Sequence, residues 1–308
     1  MKILVCGGSG FLGSHVADYL TDVGNEVIIF DLKKSPFSRK EQTFVLGDIL
    51  DGKLVEQAMK GCDIVYNFAG IADMDHAKTV PVDTVRHNIM GNTIILDTCV
   101  KNKVKRFVFA STIYVYSNSG SFYRSSKQAC ELIIENYSQV YGLEYTVLRY
   151  GSLYGPRTNM NNWINMLLNQ AIAEDRIVRY GNGEEVREYI HVFDAARCSV
   201  EILSKEYTNQ HVIIAGNQQI KVKDLLIMIK EMMGNKIGIE YRPVEDKTCP
   251  YDASIHYEIT PYAFSPKLAK RIVSSHYIDL GQGILELLRE IHKKHTLKGV
   301  KAADLGIE

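Results

Sequence analysis

The sequence predicts an α/β protein: a doubly wound parallel sheet over residues 1–150, then a smaller, less regular α/β domain over residues 151–308. Three observations carry this. The chain opens on a short apolar run that ends in a spaced glycine triplet. Bulky apolar runs then alternate with amphipathic stretches of helical length up to about residue 150. Beyond that point the rhythm loosens and Pro-marked turns appear.

The first unit is strand Ile3–Val5, a turn through Gly7, Gly10 and Gly13, and a helix over Ser14–Val23. Gly7 permits the sharp reversal, Gly10 permits close approach of a pyrophosphate, and Gly13 permits close packing of helix on strand. The diphosphate then meets unpaired N–H groups at the helix N-terminus. Taken alone, the triplet also reads as a plain strand-to-helix turn. The second strand, Glu26–Phe30, ends in Asp31, 18 residues after Gly13, where an acid can accept from an adenosine ribose. Together these predict a Rossmann-type dinucleotide site, with NAD favoured over NADP because Asp31 repels a 2′-phosphate.

Strands follow at Thr43–Leu46, Ile64–Phe68, Arg106–Ala110 and Glu144–Arg149, separated by helices over Gly52–Met59, Thr84–Lys101 and Ser125–Tyr141. Helices of this length between strands imply parallel neighbours. The later helices fall near Trp163–Ala173, Val222–Met233 and Gly283–His292. Some segments of this second half can return to the first domain. The binding crevice belongs at the C-terminal ends of the parallel strands.

Composition narrows the partners. The 308 residues carry 36 basic and 36 acidic side chains, a balance that gives no field to attract nucleic acid or an anionic membrane. No apolar run is long enough to span a bilayer. The chain enters a strand at once, without a signal peptide. The six cysteines are scattered without C-x-x-C pairs and read as reduced thiols. A cytoplasmic protein is expected, and no cluster has metal-ligand spacing.

Tyr123 and Lys127 are four residues apart and share one helical face. A neighbouring ammonium favours the phenolate, so the pair predicts a tyrosine base with a pKa below that of free tyrosine. With 18 tyrosines in the chain the spacing also arises by chance. Its position decides: it opens the helix after the strand that ends in Ser111-Thr112, so a strand-end hydroxyl and the pair can converge on one substrate oxygen.

These motifs, in order, resemble those of the extended short-chain dehydrogenase/reductases, in the branch of NAD-dependent nucleotide-sugar epimerases and dehydratases. The resemblance runs from residue 1 to about residue 290 and rests on Cys6–Gly13, Gly47-Asp48-Ile49, Asn67-Phe68-Ala69-Gly70, Asn88 in His-Asn-Ile-Met-Gly-Asn, Ser111–Tyr116, Leu148-Arg149-Tyr150 with Tyr154-Gly155-Pro156-Arg157, and Arg187–Ala196. It implies Tyr123 as base, Lys127 as the group that lowers its pKa and holds the nicotinamide ribose, and Thr112 as hydrogen-bond partner of the reacting oxygen. For the cofactor it implies Gly7, Gly10, Phe11, Leu12 and Gly13 at the diphosphate. Asp31, Asp48 and Ile49 fall at the adenosine. Phe68, Ala69, Gly70, Asn88, Ser111 and Tyr150, with Tyr123 and Lys127, fall along the nicotinamide side. For the substrate it implies Thr112, Ser152, Asn162 at the diphosphate, and Arg187 at the diphosphate or its neighbouring ribose. The plainer alternatives are a surface ion pair for Arg187, a helix cap for Asn162 and a strand-end hydroxyl for Thr112.

Departures from the pattern narrow the chemistry. Dehydratases of this family carry Asp-Glu where this chain has Ile113 and Tyr114, which removes the acid/base pair for eliminating water. Position 113 also lacks the Cys of the reductase-epimerases. Only Ser117–Phe122 separates Tyr116 from Tyr123, so the pocket wall that relatives build there is trimmed. Gly151-Ser152 stands in place of the frequent Phe-Asn. His256–Tyr262 occupies the place of an Arg-Pro-Gly-Asp segment, leaving Arg242 as a candidate second phosphate ligand. The expected function is a nucleotide-sugar epimerase, acting at C4 through a transient 4-keto sugar. The alternatives are a 4-dehydrogenase or 4-ketoreductase with net hydride transfer, and a non-catalytic NAD-binding regulator. A homodimer through the helices over Thr84–Lys101 and Ser125–Tyr141 is expected, because both carry more apolar residues than one core-facing stripe needs.

Overall fold

The computed structural model describes residues 1–249, 252, 256, 259–262, 268–273 and 276–297. The glycine turn joins β1 (Lys2–Cys6) to α1 (Phe11–Asp22), and β2 (Glu26–Asp31), β3 (Thr43–Leu46), α2 (Gly52–Met59) and β4 (Ile64–Asn67) follow. Next come two short helices, α3 (Met74–Thr79) and α4 (Pro81–Thr84), a π-helical turn over Val85–Gly91, and α5 (Asn92–Lys101). Then β5 (Arg106–Thr112), α6 (Ser121–Tyr141), β6 (Glu144–Tyr150) and β7 (Ser152–Tyr154) lead out of the first half. The second half contributes α7 (Trp163–Glu174), β8 (Arg176–Tyr180), β9 (Val186–His191), α8 (Val192–Glu201), β10 (Gln210–Ile214) and β11 (Gln219–Lys221). It ends with α9 (Val222–Met232), β12 (Gly238–Arg242), β13 (Lys270–Arg271) and α10 (Leu280–Leu297).

The main sheet is parallel throughout, in the order β13-β10-β6-β5-β4-β1-β2-β3. The chain builds outward from β1 to β3, then restarts at β4 on the other flank of β1. That reversal opens a crevice at the C-terminal ends of β1 and β4, where ligands of such sheets bind. Both faces are covered. One apolar layer packs against α1 and α8, with Leu20, Val16 and Ala195 fully buried; the other packs against α2, α5 and α6, with Phe107, Leu96 and Cys130 fully buried. A third core holds α7, α9 and α10 against β8 and β9. The two smaller sheets are β11-β9-β7 and β12-β8.

Two differences from the sequence-based expectation matter for the site. The helix expected over Thr84–Lys101 runs on without a gap but is not uniform: a π-helical turn lies between α4 and α5, and Asn88 within it is bonded to Ser126 and Cys130 of α6. Helix α6 starts at Ser121, so Tyr123 lies inside it; its N-cap, Gly120, has φ +110 and no capping side chain to mark the start. Apart from these, the main sheet draws on both sides of residue 150, since β10 pairs with β6 and β13 with β10.

Candidate active site

The glycine turn forms a tight cradle. Gly7 has φ +76, and a Cβ there would lie 2.6 Å from the Ala69 amide nitrogen; one on Gly13 would lie 2.3 Å from the Gly7 carbonyl oxygen. Glycine alone fits both positions. The first intrahelical bond of α1 is Ser14 N–H to Gly10 O, and Gly10 offers no side chain to cap the amides of Phe11, Leu12 and Gly13. No acid sits in that first turn. The Ser9 hydroxyl is buried there without a hydrogen-bond partner. An uncapped helix N-terminus beside an orphaned hydroxyl suits a diphosphate. Asp31, at the end of β2, accepts from the Ser9 amide at 3.0 Å and so stands beside the cradle. Asp48 accepts from the Leu50 amide at 2.9 Å, and Ile49 is buried against Gly91.

Phe68, Ala69 and Gly70 continue from β4 along the other side of the crevice. The Phe68 amide donates to Cys6 O, and Gly70 has φ +141. Asn88 holds this loop in place. Its Oδ1 accepts from the Ile71 amide at 2.7 Å, and its Nδ2 donates to Ile71 O and to Ser126 Oγ, each at 2.9 Å. Ser126 in turn donates to Tyr123 O. Both ends of the Asn88 amide are therefore engaged within the protein, and the residue ties the crevice wall to α6. The π-helical turn frees its carbonyl to accept from the Cys130 thiol.

Thr112, Tyr123 and Lys127 do come together. The Thr112 hydroxyl accepts from the Tyr114 amide at 3.2 Å and lies near enough to the Tyr123 phenol to favour its ionised form. Lys127 is buried; its ammonium donates to Ala110 O at 2.8 Å and lies 4.7 Å from the Phe109 ring centroid and 5.8 Å from that of Tyr123. Burial pushes the Lys127 pKa down to about 8. Burial also pushes Tyr123 up to about 12, with the nearby Thr112 hydroxyl opposing it. The expectation of a phenol already below the free value is thus corrected: desolvation outweighs a lysine held toward Phe109 and Ala110.

Beneath this group lies a charged network that the sequence motifs do not announce. Arg149, fully buried, makes a fork to Glu131 through Nε at 3.0 Å and Nη2 at 2.5 Å. Its Nη1 donates to the Tyr116 hydroxyl at 2.7 Å, and His211 from β10 sits 3.0 Å from Nη2. The arginine and histidine side chains hold the Glu131 carboxyl below its usual range against the cost of burial. Ser111 donates to the same carboxylate at 2.5 Å. Its hydroxyl faces this interior network rather than the crevice. The Tyr150 hydroxyl likewise sits 2.6 Å from Ser199 Oγ, in the core under α8. For both residues the expected cofactor contact is restricted to backbone or ring. The available signal was the spacing: Glu131 is one turn beyond Lys127 on the same helical face.

On the substrate side, Asn162 is the N-cap of α7, accepting from the Asn165 amide at 3.2 Å and donating to Leu153 O at 2.7 Å. Its amide is spent locally. Ser152 lies on β7 opposite Tyr189, and Arg187 lies on β9 with Nη1 on Val186 O. Gly151 is explained by space: a Cβ there would lie 2.9 Å from the Ala215 Cβ. Arg242 is ion-paired with Glu240 on its own strand. Tyr257 and Glu258 lie outside the described residues. No group of side chains able to hold a metal ion is present among the described residues.

A family model described as the NAD dependent epimerase/dehydratase family matches residues 3–216. The chain belongs to that family. Its members include a UDP-glucose 4-epimerase of Halalkalibacterium halodurans, 26% identical over 279 residues that cover 79% of this chain and 84% of that one. A dTDP-glucose 4,6-dehydratase of Streptomyces antibioticus is 28% identical over 260 residues, 76% of this chain and 78% of the relative. Among solved structures, UDP-glucose 4-epimerase from Thermotoga maritima with UDP-glucose superposes with a TM-score of 0.79 at 26% identity, covering 96% of this chain and all of that one. NAD is the cofactor of this epimerase/dehydratase family, and the uncapped cradle with Asp31 beside it fits that cofactor.

Proposed function

We propose that the protein is an NAD-dependent nucleotide-sugar epimerase that inverts C4 through a transient 4-keto sugar. The observation that carries this is the grouping of Thr112, Tyr123 and Lys127 at the C-terminal end of β5, with β4 between it and the strand of the glycine cradle. The Tyr123 phenol moves the proton of the C4 hydroxyl, and Thr112 orients the same oxygen. Lys127 adds positive charge beside the phenol and has donors to spare for a ribose hydroxyl. Bound NAD supplies the hydride acceptor and donor, and in its oxidised form a positive ring. Arg187 takes the substrate diphosphate. Two of the family's activities are separated by Ile113 and Tyr114, which provide no carboxylate pair for dehydration.

Incubating the NAD-loaded protein with UDP-glucose, UDP-galactose and dTDP-glucose, and following products by NMR, tests the reading. Epimer formation without lasting change in nicotinamide absorbance is expected. Stoichiometric reduction of NAD would instead indicate a 4-dehydrogenase.

Self-association of the chain as a homodimer rests on exposed apolar residues of α6 and of the segment before α5: Leu132 at 64%, Val140 at 69%, Tyr141 at 59% and Val82 at 77% exposure. Ile95, Leu96 and Ile134 are core residues, whereas Leu132 faces outward. A cytoplasmic setting is consistent with cysteines that are free and mostly buried. Among the described residues no helix is long and apolar enough to cross a membrane.

A further inference from the structure

We propose that Tyr114 and His256, with Asp75 orienting the histidine, form the wall of the sugar pocket and select the sugar through its hydroxyls. This rests on the epimerase reading above. The Tyr114 hydroxyl lies 3.3 Å from His256 Nδ1, and the two rings meet edge to face at 6.5 Å. His256 Nε2 lies 3.9 Å from Asp75 Oδ2. These residues come from three distant parts of the chain: Asp75 from α3, Tyr114 from the turn after β5, and His256 from beyond β12.

Their placement ties them to the reacting end of the substrate. At the reacting end, the Tyr114 amide donates to Thr112, the partner of Tyr123. The Tyr114 ring packs on Gly120, where a Cβ would lie 3.0 Å from Cδ1, and Gly120 caps the helix that carries Tyr123. Burial lowers the His256 pKa, and the positive charges of Arg187 and Arg179 add to this. On this proposal, a sugar whose reacting oxygen sits at Thr112 and Tyr123 rests against the Tyr114–His256 pair. The segment between Tyr116 and Tyr123 is too short to build a wall there. Arg124 folds it back by donating to Ser117 O at 3.0 Å. Asp252, His256 and Tyr262 close the gap from the opposite side. Asp252 is ion-paired with Lys78, its amide donates to Asp75 Oδ1 at 3.0 Å, and Tyr262 packs on Tyr116 at 5.4 Å. A phenol and an imidazole in contact offer donors and acceptors that match a polyhydroxylated ring.

The test is calorimetric titration of the NAD-loaded full chain with UDP and with UDP-glucose, with steady-state kinetics alongside. Tyr114→Phe and His256→Ala are each expected to weaken UDP-glucose by about tenfold, the scale of one or two lost hydrogen bonds, and to leave UDP within about twofold. Asp75→Asn is expected to have a smaller effect in the same direction. Lys78→Ala, which loosens the mooring without reaching the pocket, should not discriminate between the two ligands. Thermal melts establish that each variant folds. Equal loss of UDP and UDP-glucose in Tyr114→Phe and His256→Ala, or no loss of either, overturns the proposal. If the wild-type protein binds UDP-glucose yet forms no epimer, the epimerase reading fails while sugar selection by this wall is still measured. Wild-type protein that binds neither ligand overturns both.

Discussion

The Thr112 hydroxyl lies beside the Tyr123 phenol and opposes the burial that pushes the phenol up to about 12. Because the Tyr114 amide already donates to Thr112, the threonine proton is available to the tyrosine oxygen. A base at Tyr123 must be ionised, so turnover rises with pH through its apparent pKa. Thr112→Val removes the opposing hydroxyl, and the rising limb should move to higher pH. Turnover near neutral pH should drop roughly fivefold, the scale of about 1 kcal/mol for one hydrogen bond. A pH–rate profile of both proteins checks this; an unmoved limb contradicts it.

Tyr123→Phe should cut turnover by about 100-fold or more, the usual cost of losing general acid–base help. NAD affinity should hardly change, since the ring stays and Lys127 keeps its contact with Ala110 O. Fluorescence titration with NAD, beside product assays, separates the two effects.

Asp31 should set the cofactor choice. Wild-type protein should prefer NAD over NADP by at least about tenfold, or about 1.4 kcal/mol, and Asp31→Ala should erode the preference. Equal affinities in the wild-type protein would contradict the role of Asp31 beside the cradle.

The pair beneath Lys127 should matter for stability. Glu131→Gln leaves the fully buried Arg149 guanidinium without its carboxylate. Removing one partner of a buried pair costs about 3–5 kcal/mol. Urea unfolding should show a loss of that size with an unchanged slope.

Acid should weaken the fold through two buried histidines. Burial lowers His191 to about 4, with His15 nearby adding to the effect, and burial lowers His15 as well. Between pH 6.5 and 4 the unfolded chain therefore binds more protons than the folded one, and stability falls as pH falls. The full shift of His191 corresponds to about 3 kcal/mol. His191 Nδ1 also caps α8 through the Phe193 amide. His191→Asn keeps a cap and should flatten the acid limb of a urea-midpoint series.

Local pattern revealed much of the fold. The bounds expected for Thr43–Leu46 and Gly52–Met59 match those observed, because a short apolar run and an Asp51-capped helix depend on near neighbours. The π-helical turn over Val85–Gly91 is bonded to Ser126 and Cys130, nearly forty residues later, and no local signal announces it. Nor does the sequence of Gln210–Ile214 say which sheet it joins. At the site, Thr112, Tyr123 and Lys127 were legible because each follows a strand end or a helical spacing. The inward turn of Ser111 and Tyr150 was not legible, since it depends on Glu131 and Ser199 from other elements.

The late arrival of β10 has a consequence for biosynthesis. Until Gln210–Ile214 leave the ribosome, β6 is an open edge, with its hydrogen-bonding groups unpaired on one side. His211, which completes the enclosure of Arg149, comes on the same strand. A nascent chain that stops short of it holds a cationic side chain under a half-built sheet. The first half should therefore remain sticky and protease-sensitive until translation passes Ile214, and fold in one step with β10 rather than ahead of it.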